Sequence, residues 1–287
     1  MSVIAGQLYV VATPIGNLGD LSPRAVEVLQ SVALIVAEDT RHARVLLGHF
    51  AITTPVRSLH QHNEDRESDK VLAELGAGRS VAVIADAGTP LINDPGLIVV
   101  QKARAQGLTV IAVPGPCALV AALSVAGLPL NRFIFEGFAP RSGTARAAFF
   151  SERRDCSATW VFYESSHRIL DTLVAMTQCL PPQRKIVVAK ELTKMHERVL
   201  SGSAAELLAQ FQALPELQKG EFVVLVEPAP ASVEDKTCLT EQQCHVLERL
   251  LAECSLKTAV ALTVHLTGAR KSLVYQTALA LQKQHEV

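Results

Sequence analysis

The chain has 287 residues, enough for two domains of ordinary size, and 49% hydrophobic residues supply ample material for buried cores. Only 19% of the residues are charged, fewer than the roughly 25% typical of soluble domains, which favours strands buried on both faces as in α/β proteins. The net charge of −1 excludes a broadly basic nucleic-acid binder, so any such contact must come from local patches.

Neither secretion nor disulfide bonding is indicated. The amino-terminal segment MSVIAGQLYVVATPIGN lacks the basic start and long apolar run of a signal peptide. No two of the six cysteines have the spacing of a metal or redox motif, which favours reduced, buried thiols in a cytoplasmic protein. These cysteines are Cys117, Cys156, Cys179, Cys238, Cys244 and Cys254.

Strand-like and helical patterns alternate through most of the chain. A helix begins at Ser22-Pro23, with serine as N-cap and proline in the first turn, and another covers Arg41–Leu47. The alternation is typical of mostly parallel sheets covered by helices on both faces. The predicted strands are Leu8–Ala12, Ala33–Ala37, Val81–Ala85, Thr109–Val113, Phe133–Phe135, Thr159–Phe162, Lys185–Ala189 and Phe222–Val226.

One uncharged stretch, Leu108–Leu130, is long enough to span a bilayer. Pro114, Gly115 and Pro116 interrupt it, which instead favours a buried strand, a tight turn and an apolar helix. We therefore expect no membrane span.

The carboxyl-terminal part follows a linker predicted over Pro228–Lys236. Three amphipathic helices are expected over Glu241–Glu253, Lys257–Thr267 and Arg270–Lys283, with Gly268 as a helix-ending glycine. This helix-turn-helix-like unit is nearly balanced in charge, which favours packing or dimer support over DNA reading.

Two loops that follow strands contain several glycines and prolines. The first, TPIGNLGD from Thr13 to Asp20, lacks the G-x-G-x-x-G of dinucleotide-binding folds. It fits equally a tight turn or a backbone shelf for a ligand at the end of a strand. The second, IADAGTPLINDPG from Ile84 to Gly96, fits either a ligand loop or an elaborate turn with Asp94 as the N-cap of the next helix.

Seven motifs follow one another in the chain: TPIGNLGD, AEDTRHARVLL, HNE, IADAGTPLINDPG, VPGPCALVAALSVAGLP, FYESSHR and KELTKMHE. In this order they resemble the bacterial 16S rRNA cytidine 2′-O-methyltransferases of the tetrapyrrole-methylase superfamily. The resemblance covers Leu8 to Val226 and extends to the helical tail. TPIGN stands where cobalamin and porphyrin methylases usually have G-x-G-P-G, which favours the RNA branch.

The resemblance implies an α/β fold with two domains, residues 1–118 and 119–230, and a helical extension over residues 231–287. It also implies S-adenosylmethionine in the cleft between the domains, a homodimer, and 16S rRNA in the small ribosomal subunit as substrate. Neither a membrane nor a metal is expected as a partner. The implied cofactor residues are Thr13, Pro14, Ile15, Asp86, Ala87, Gly88, Thr89, Ile92, Ala118, Leu119, Tyr163, Lys190 and Phe222.

Transfer of a methyl group to a ribose hydroxyl needs aligned reactants and a base for the hydroxyl proton. The sequence does not choose among several candidates for that base. They are Asp39, Glu64, Glu164, Lys190 and Glu191.

Arginines in the segment Phe138–Arg154 predict an arm that contacts phosphates. The predicted RNA-binding residues are Arg41, Arg141, Arg146, Arg153 and Arg154. The histidines have no metal-ligand spacing.

Two other functions stay open at this point. A tetrapyrrole C-methyltransferase would share the fold and the cofactor without needing an arginine arm. A non-catalytic RNA-binding ribosome-assembly factor would bind RNA without binding the cofactor.

Overall fold

The computed structural model describes residues 6–230 and 239–285, and every structural statement below concerns those ranges. They divide into two compact units, one ending at Ala229 and the other beginning at Pro230. Most of the predicted linker, and also Cys238, lie outside the described residues. The proposed boundary between residues 118 and 119 falls inside the first unit.

The first sheet of the larger unit is wholly parallel, as predicted. Its strand order is β3-β2-β4-β1-β5. The strands are β1 (Leu8–Val11), β2 (Leu34–Ala37), β3 (Val56–Ser58), β4 (Val81–Ile84) and β5 (Val110–Val113). The helices are α1 (Pro23–Ser31), α2 (Thr40–His49), α3 (Glu64–Gly76) and α4 (Leu97–Ala105).

Helices cover both faces of this sheet because alternate residues of each strand point to opposite sides. On β2, Ile35 and Ala37 pack in a core with residues of α1 and α2. Leu34 and Val36 pack in a second core with residues of α3 and α4. All four residues of β2 are buried, which explains why the strand has an unbroken apolar run.

The second sheet departs from the prediction of mostly parallel pairing. Its order is β6-β7-β10-β8-β9, and only β6 and β7 run parallel. The strands are β6 (Phe133–Phe138), β7 (Thr159–Ser165), β8 (Ile186–Lys190), β9 (Arg198–Gly202) and β10 (Glu221–Val226). The alternating pattern was misleading because β8 and β9 form an antiparallel pair with no helix between them, and β10 enters the sheet between β7 and β8.

Four helices cover the second sheet. α5 (Ala118–Val125) packs on one face through Leu119, Ala122 and Leu123. The other face carries a core with Trp160, Phe162 and Phe150 among its largest buried side chains. The helices on that face are α6 (Gly143–Glu152), α7 (Ile169–Cys179) and α8 (Ala204–Ala213).

Local signals for helix ends were right at two positions and wrong at one. The Ser22 side chain accepts from Ala25 N at the start of α1, and Gly268 ends a tail helix at φ 68°. Asp94 is not an N-cap, because α4 starts three residues later, after Gly96. Glu64 of α3 supplies the missing acceptor to Gly96 N and Ile98 N, each at 2.8 Å.

The smaller unit contains the three predicted helices, α9 (Glu241–Glu253), α10 (Leu256–Thr267) and α11 (Lys271–His285). They pack around the buried side chains of Leu247, Val260 and Val274. No described helix combines the length and apolar composition needed to cross a bilayer. The five described cysteines are half-buried rather than buried.

Candidate methyl-transfer site

The larger unit contains a cavity of about 470 Å³, a volume within the range of small-molecule sites. One wall consists of loops that follow the carboxyl ends of β1, β2 and β4. The other consists of the end of β6, the end of β7, the loop after β8 and the start of β10, with α5 beginning at the base. The carboxyl edge of a parallel sheet is where α/β proteins place ligands.

Backbone hydrogen bonds tie the first wall together. Thr13 N donates to Gly88 O at 2.9 Å, and Gly88 N donates to Thr13 O at 3.0 Å. The Thr13 hydroxyl also donates to Ala85 O at 3.2 Å, and that of Thr89 donates to Pro116 O at 3.0 Å. Gly88 has a φ of +84°, a conformation in which side chains are disfavoured. Glycine therefore suits this position, where the two loops come close together.

Three carboxylates, Glu38, Asp86 and Asp94, line the first wall. Burial, and then the nearby charges of Glu38 and Asp86, raise the pKa of Asp94 to about 6. Burial and the charge of Asp86 also raise the pKa of Glu38. Asp86 is fixed by Asp39 N at 3.0 Å and by His42 Nδ1 at 3.2 Å. The wall therefore attracts cations and contains one carboxyl whose pKa is about 6.

The opposite wall combines aromatic and apolar side chains with polar groups such as Lys194. Tyr163 packs edge-on against Phe135 at 4.9 Å and against Phe138 at 5.6 Å between ring centroids. Burial is the main cause that raises the pKa of Tyr163 to about 12, so its hydroxyl stays protonated and can donate. Leu192 and Phe222 complete this wall.

The family of Tetrapyrrole (Corrin/Porphyrin) Methylases matches residues 7–208, which include the first wall of the cavity and all of the second wall except the start of β10. The chain belongs to this methylase family. A second match, to the RsmI C-terminal HTH domain, covers residues 239–282 and accounts for the three helices of the smaller unit. The resemblance that the sequence motifs indicated is thereby confirmed.

Two relatives of this methylase are similar over nearly their whole length. A protein of Pseudomonas aeruginosa named Ribosomal RNA small subunit methyltransferase I is 48% identical over 97% of this chain and 98% of that protein. A protein of the same name from Escherichia coli O157:H7 is 45% identical, over 96% of each chain.

Solved structures of tetrapyrrole enzymes share the methylase fold. The uroporphyrin-III-C-methyltransferase of Thermus thermophilus matches with a TM-score of 0.54 at 21% identity, over 77% of this chain and 94% of that one. The methyltransferase CobJ matches with a TM-score of 0.57 at 20% identity, over 78% and 95%. At these identities the likeness is one of fold.

A methylase requires a methyl donor, and the cavity has the chemistry to hold one. Its volume suits a nucleoside-sized molecule, and it combines apolar side chains with backbone groups at the Gly88 turn. The carboxylates of Glu38, Asp86 and Asp94 complement a cationic donor. Lys194 on the opposite side complements an anionic group.

Most positions that the resemblance assigned to the cofactor line this cavity. They are Ile15, Asp86, Ala87, Gly88, Thr89, Ile92, Ala118, Tyr163 and Phe222. The other four, Thr13, Pro14, Leu119 and Lys190, are buried behind the lining. Thr13 supports Gly88 through the bonds given above, and Leu119 packs in the core under α5.

Several lining residues were not assigned to the cofactor or to the reaction from sequence. Asn93 and Asp94 stood inside the quoted loop motif, and Glu38 directly follows β2, so a signal for them was present. Lys194 belongs to the KELTKMHE motif. Phe138 had no sequence signal as a site residue, because its direction depends on a strand irregularity.

Two of the predicted base candidates near α2 and α3 are already bonded. The guanidinium of Arg41 lies 2.6 Å from Asp39, and its hydrogen bonds hold the pKa of that carboxyl far below its usual range. Glu64 is buried and accepts from Gly96 N and Ile98 N. These groups position the wall and are poorly suited to accept another proton.

The other three candidates also have structural partners. Glu164 is buried, with Arg168 Nη2 at 2.7 Å and Thr172 Oγ1 at 2.7 Å. Burial opposes ionisation of Glu191, but hydrogen bonds from Lys194 and Glu221 N outweigh it and lower its pKa. Lys190 is a buried residue of β8.

The predicted arginine arm separates into two groups. Arg146 is 4% exposed and donates to the carbonyls of Pro140 and Arg141. Arg153 pairs with both oxygens of Glu136, at 2.8 and 2.9 Å. In contrast, Arg41, Arg141 and Arg154 are exposed at the surface. Among the described residues, no three His, Cys, Asp or Glu side chains are grouped to hold a metal ion.

Proposed function

We propose that this methylase transfers a methyl group from S-adenosylmethionine to the ribose 2′-hydroxyl of a cytidine in 16S rRNA of the small ribosomal subunit, in the cytoplasm. The observation that carries the proposal is near-full-length similarity, at 45–48% identity, to proteins named Ribosomal RNA small subunit methyltransferase I. That similarity extends through the helical unit, which also matches the RsmI C-terminal HTH domain. The tetrapyrrole enzymes resemble this chain only at 20–21% identity.

The cavity residues support this choice of donor. When bound, S-adenosylmethionine would supply a methyl group on a positively charged sulfur that is a good leaving group. Glu38, Asp86 and Asp94 would favour that charge, and the turn at Gly88 would offer backbone groups to the adenosine. Lys194 would face the carboxylate of the amino-acid part.

Asp94 is our choice for the base that accepts the hydroxyl proton. It lines the cavity, and no side chain within the described ranges forms an ion pair with it. Its pKa of about 6 leaves it ionised at neutral pH yet basic enough to take a proton as the new O–C bond forms. None of the five candidates considered from sequence both lines the cavity and is free of a structural hydrogen bond or ion pair.

RNA contact is assigned to exposed arginines only. Arg41, Arg141 and Arg154 would neutralise phosphates, whereas Arg146 and Arg153 would hold the protein segment that carries Arg141 and Arg154. We also propose a homodimer, whose second subunit would widen the platform for a folded RNA. This arrangement favours an assembled or nearly assembled small subunit over naked RNA.

The test measures transfer of labelled methyl groups to purified small subunits lacking the modification and to free 16S rRNA, followed by mapping of the modified nucleotide. We expect a labelled cytidine ribose and faster transfer to the subunit, together with a dimer mass by light scattering. Labelling of a tetrapyrrole precursor instead, or RNA binding with no affinity for S-adenosylmethionine, would contradict the proposal.

A further inference from the structure

Strand β6 contains an irregularity beside the cavity. Phe135 pairs with Val161 of β7, whereas Phe138 pairs with Tyr163. Between these two pairs β6 advances by three residues while β7 advances by two. The extra residue in β6 defines a bulge at Glu136 and Gly137. Gly137 has a φ of +68°, a conformation that suits glycine. Bulges next to active sites redirect a side chain, and here the redirected side chain is that of Phe138.

The Phe138 ring lies in the cavity lining and is nevertheless 48% exposed. Its neighbours hold it in place: the Tyr163 ring meets it at 67° between planes, and the Arg168 guanidinium lies 5.9 Å from its centroid. Arg168 is itself fixed, at 2.7 Å from Glu164 Oε1 and 2.8 Å from Ala139 O. An oriented aromatic ring with much of its surface free can stack with a planar ligand.

Asn93 lies next to the same bulge. Its Oδ1 is 3.1 Å from the place where a Cβ on Gly137 would stand, so a side chain at position 137 would crowd the amide. Asn93 is exposed, lines the cavity and has a φ of +69°. Among the described residues, none forms a hydrogen bond with the side-chain amide of Asn93. The amide donor and acceptor are therefore available to a ligand, one residue before Asp94.

We infer that Phe138 and Asn93 form the subsite for the target nucleobase, with the base stacked on the ring of Phe138 and its polar edge read by the amide of Asn93. The inference rests on the proposed function, since it assigns the substrate side of the same cavity. Proteins that recognise unstacked RNA bases use this combination of an aromatic platform and edge hydrogen bonds. A nucleobase held in this way would place its ribose near the carboxyl of Asp94.

Phe138→Ala tests the platform, and Phe133→Ala is a matched control. Phe133 is on the same strand with a similar exposure of 45%, and it does not line the cavity. We expect Phe138→Ala to lower kcat/KM for small subunits by about 5- to 150-fold, the value of one stacked base. Phe138→Tyr should restore it, and Phe133→Ala should behave as the wild type.

Asn93→Asp tests edge reading through a ratio of substrates. A carboxylate accepts from the cytosine amino group but cannot donate to the uracil carbonyl at that position, whereas an amide can turn to serve either. We expect the ratio of kcat/KM for subunits reconstituted with cytidine or uridine at the target to rise about 5-fold or more. The effect of the added charge on Asp94 is the same for both substrates, so it cancels in the ratio of their kcat/KM values.

Calorimetry with S-adenosylmethionine separates this inference from the function beneath it. Wild-type protein that binds no donor and labels no subunit overturns the proposed function, and the subsite with it. Active wild-type protein with Phe138→Ala equal to Phe133→Ala, or with an unchanged cytidine-to-uridine ratio in Asn93→Asp, overturns the subsite alone. So does a loss of donor affinity in Phe138→Ala as large as its loss of methyl transfer.

Discussion

Lys194 lies directly across Gly16, so that a Cβ on Gly16 would overlap the Cγ of the lysine side chain. Gly16 belongs to the loop after the first strand, and Lys194 to the loop after β8. Lys194 is fixed in this place by Glu191 and Glu221, each 2.9 Å from its Nζ. The contact joins the two walls of the cavity.

Gly16→Ala should therefore open the cavity. The new Cβ would collide with Lys194, and the φ of +152° at this position is unfavourable for alanine. We expect a lower melting temperature and weaker binding of S-adenosylmethionine. The double variant Gly16→Ala/Lys194→Ala should lose less stability than the two single variants combined, because it removes the collision and retains only the backbone strain and the loss of the Lys194 ion pairs. Losses that simply add would show that Lys194 had already moved aside.

The pH dependence of methyl transfer should reveal Asp94. Because its pKa is raised to about 6, the carboxyl becomes protonated as the pH falls through that value, and it then cannot accept a proton. We expect kcat to fall about tenfold per pH unit below 6 in the wild type. Asp94→Asn should be slow at all pH values and lose this limb, whereas Asp39→Asn should keep it. A limb that persists in Asp94→Asn would assign the base to another group.

The same raised pKa predicts an effect on stability. The folded chain binds the Asp94 proton more tightly than the unfolded chain does, so folding becomes less favourable as the pH rises from about 4 to about 6. Asp94→Asn removes this contribution. The variant should therefore melt at a higher temperature than the wild type at pH 7 and at nearly the same temperature below pH 4. A variant less stable at pH 7 would mean that the ionised carboxyl has a stabilising partner.

Much of the first half was predictable from sequence because its strands are buried on both faces. Such strands appear as continuous apolar runs, and the loops after them contain the glycines, prolines and carboxylates that form one wall. The bounds of β2 were predicted to within a residue. The family motifs then indicated nine of the lining positions, including Gly88 and Tyr163.

The rest depended on contacts between segments far apart in the chain. The sequence of the strand at Lys185–Ala189 does not indicate that its neighbouring strands are antiparallel, because register and direction are set by the partner strands. The direction of Phe138 follows from one extra residue in β6. Glu64 was expected to face the substrate. Only the fold reveals that its carboxylate accepts hydrogen bonds from backbone N–H groups at the start of α4.

Glu64 should be more important for stability than for chemistry. Glu64→Ala leaves two backbone N–H groups at the start of α4 without their acceptor, at a cost of about 1–3 kcal/mol. Glu64→Gln retains a carbonyl acceptor and should lose less. Asp69→Ala, also on α3, removes only an exposed partner of Lys102 and should cost under about 1 kcal/mol. Denaturant unfolding gives the three values, and equal losses for the alanine and glutamine variants would refute the capping role.

The exposed and the internally bonded arginines should respond in opposite ways. Arg141→Ala/Arg154→Ala removes two exposed charges, so we expect weaker RNA binding and a salt dependence reduced by about 1.4 to 1.8 in the slope of log K against log salt. The melting temperature should stay unchanged. Arg146→Ala removes a buried guanidinium that is bonded to Pro140 O and Arg141 O, and the melting temperature should fall. Titration of RNA at several salt concentrations, with melting curves for both proteins, distinguishes the two roles. An unaltered salt slope in the double variant would place the RNA surface elsewhere on the molecule.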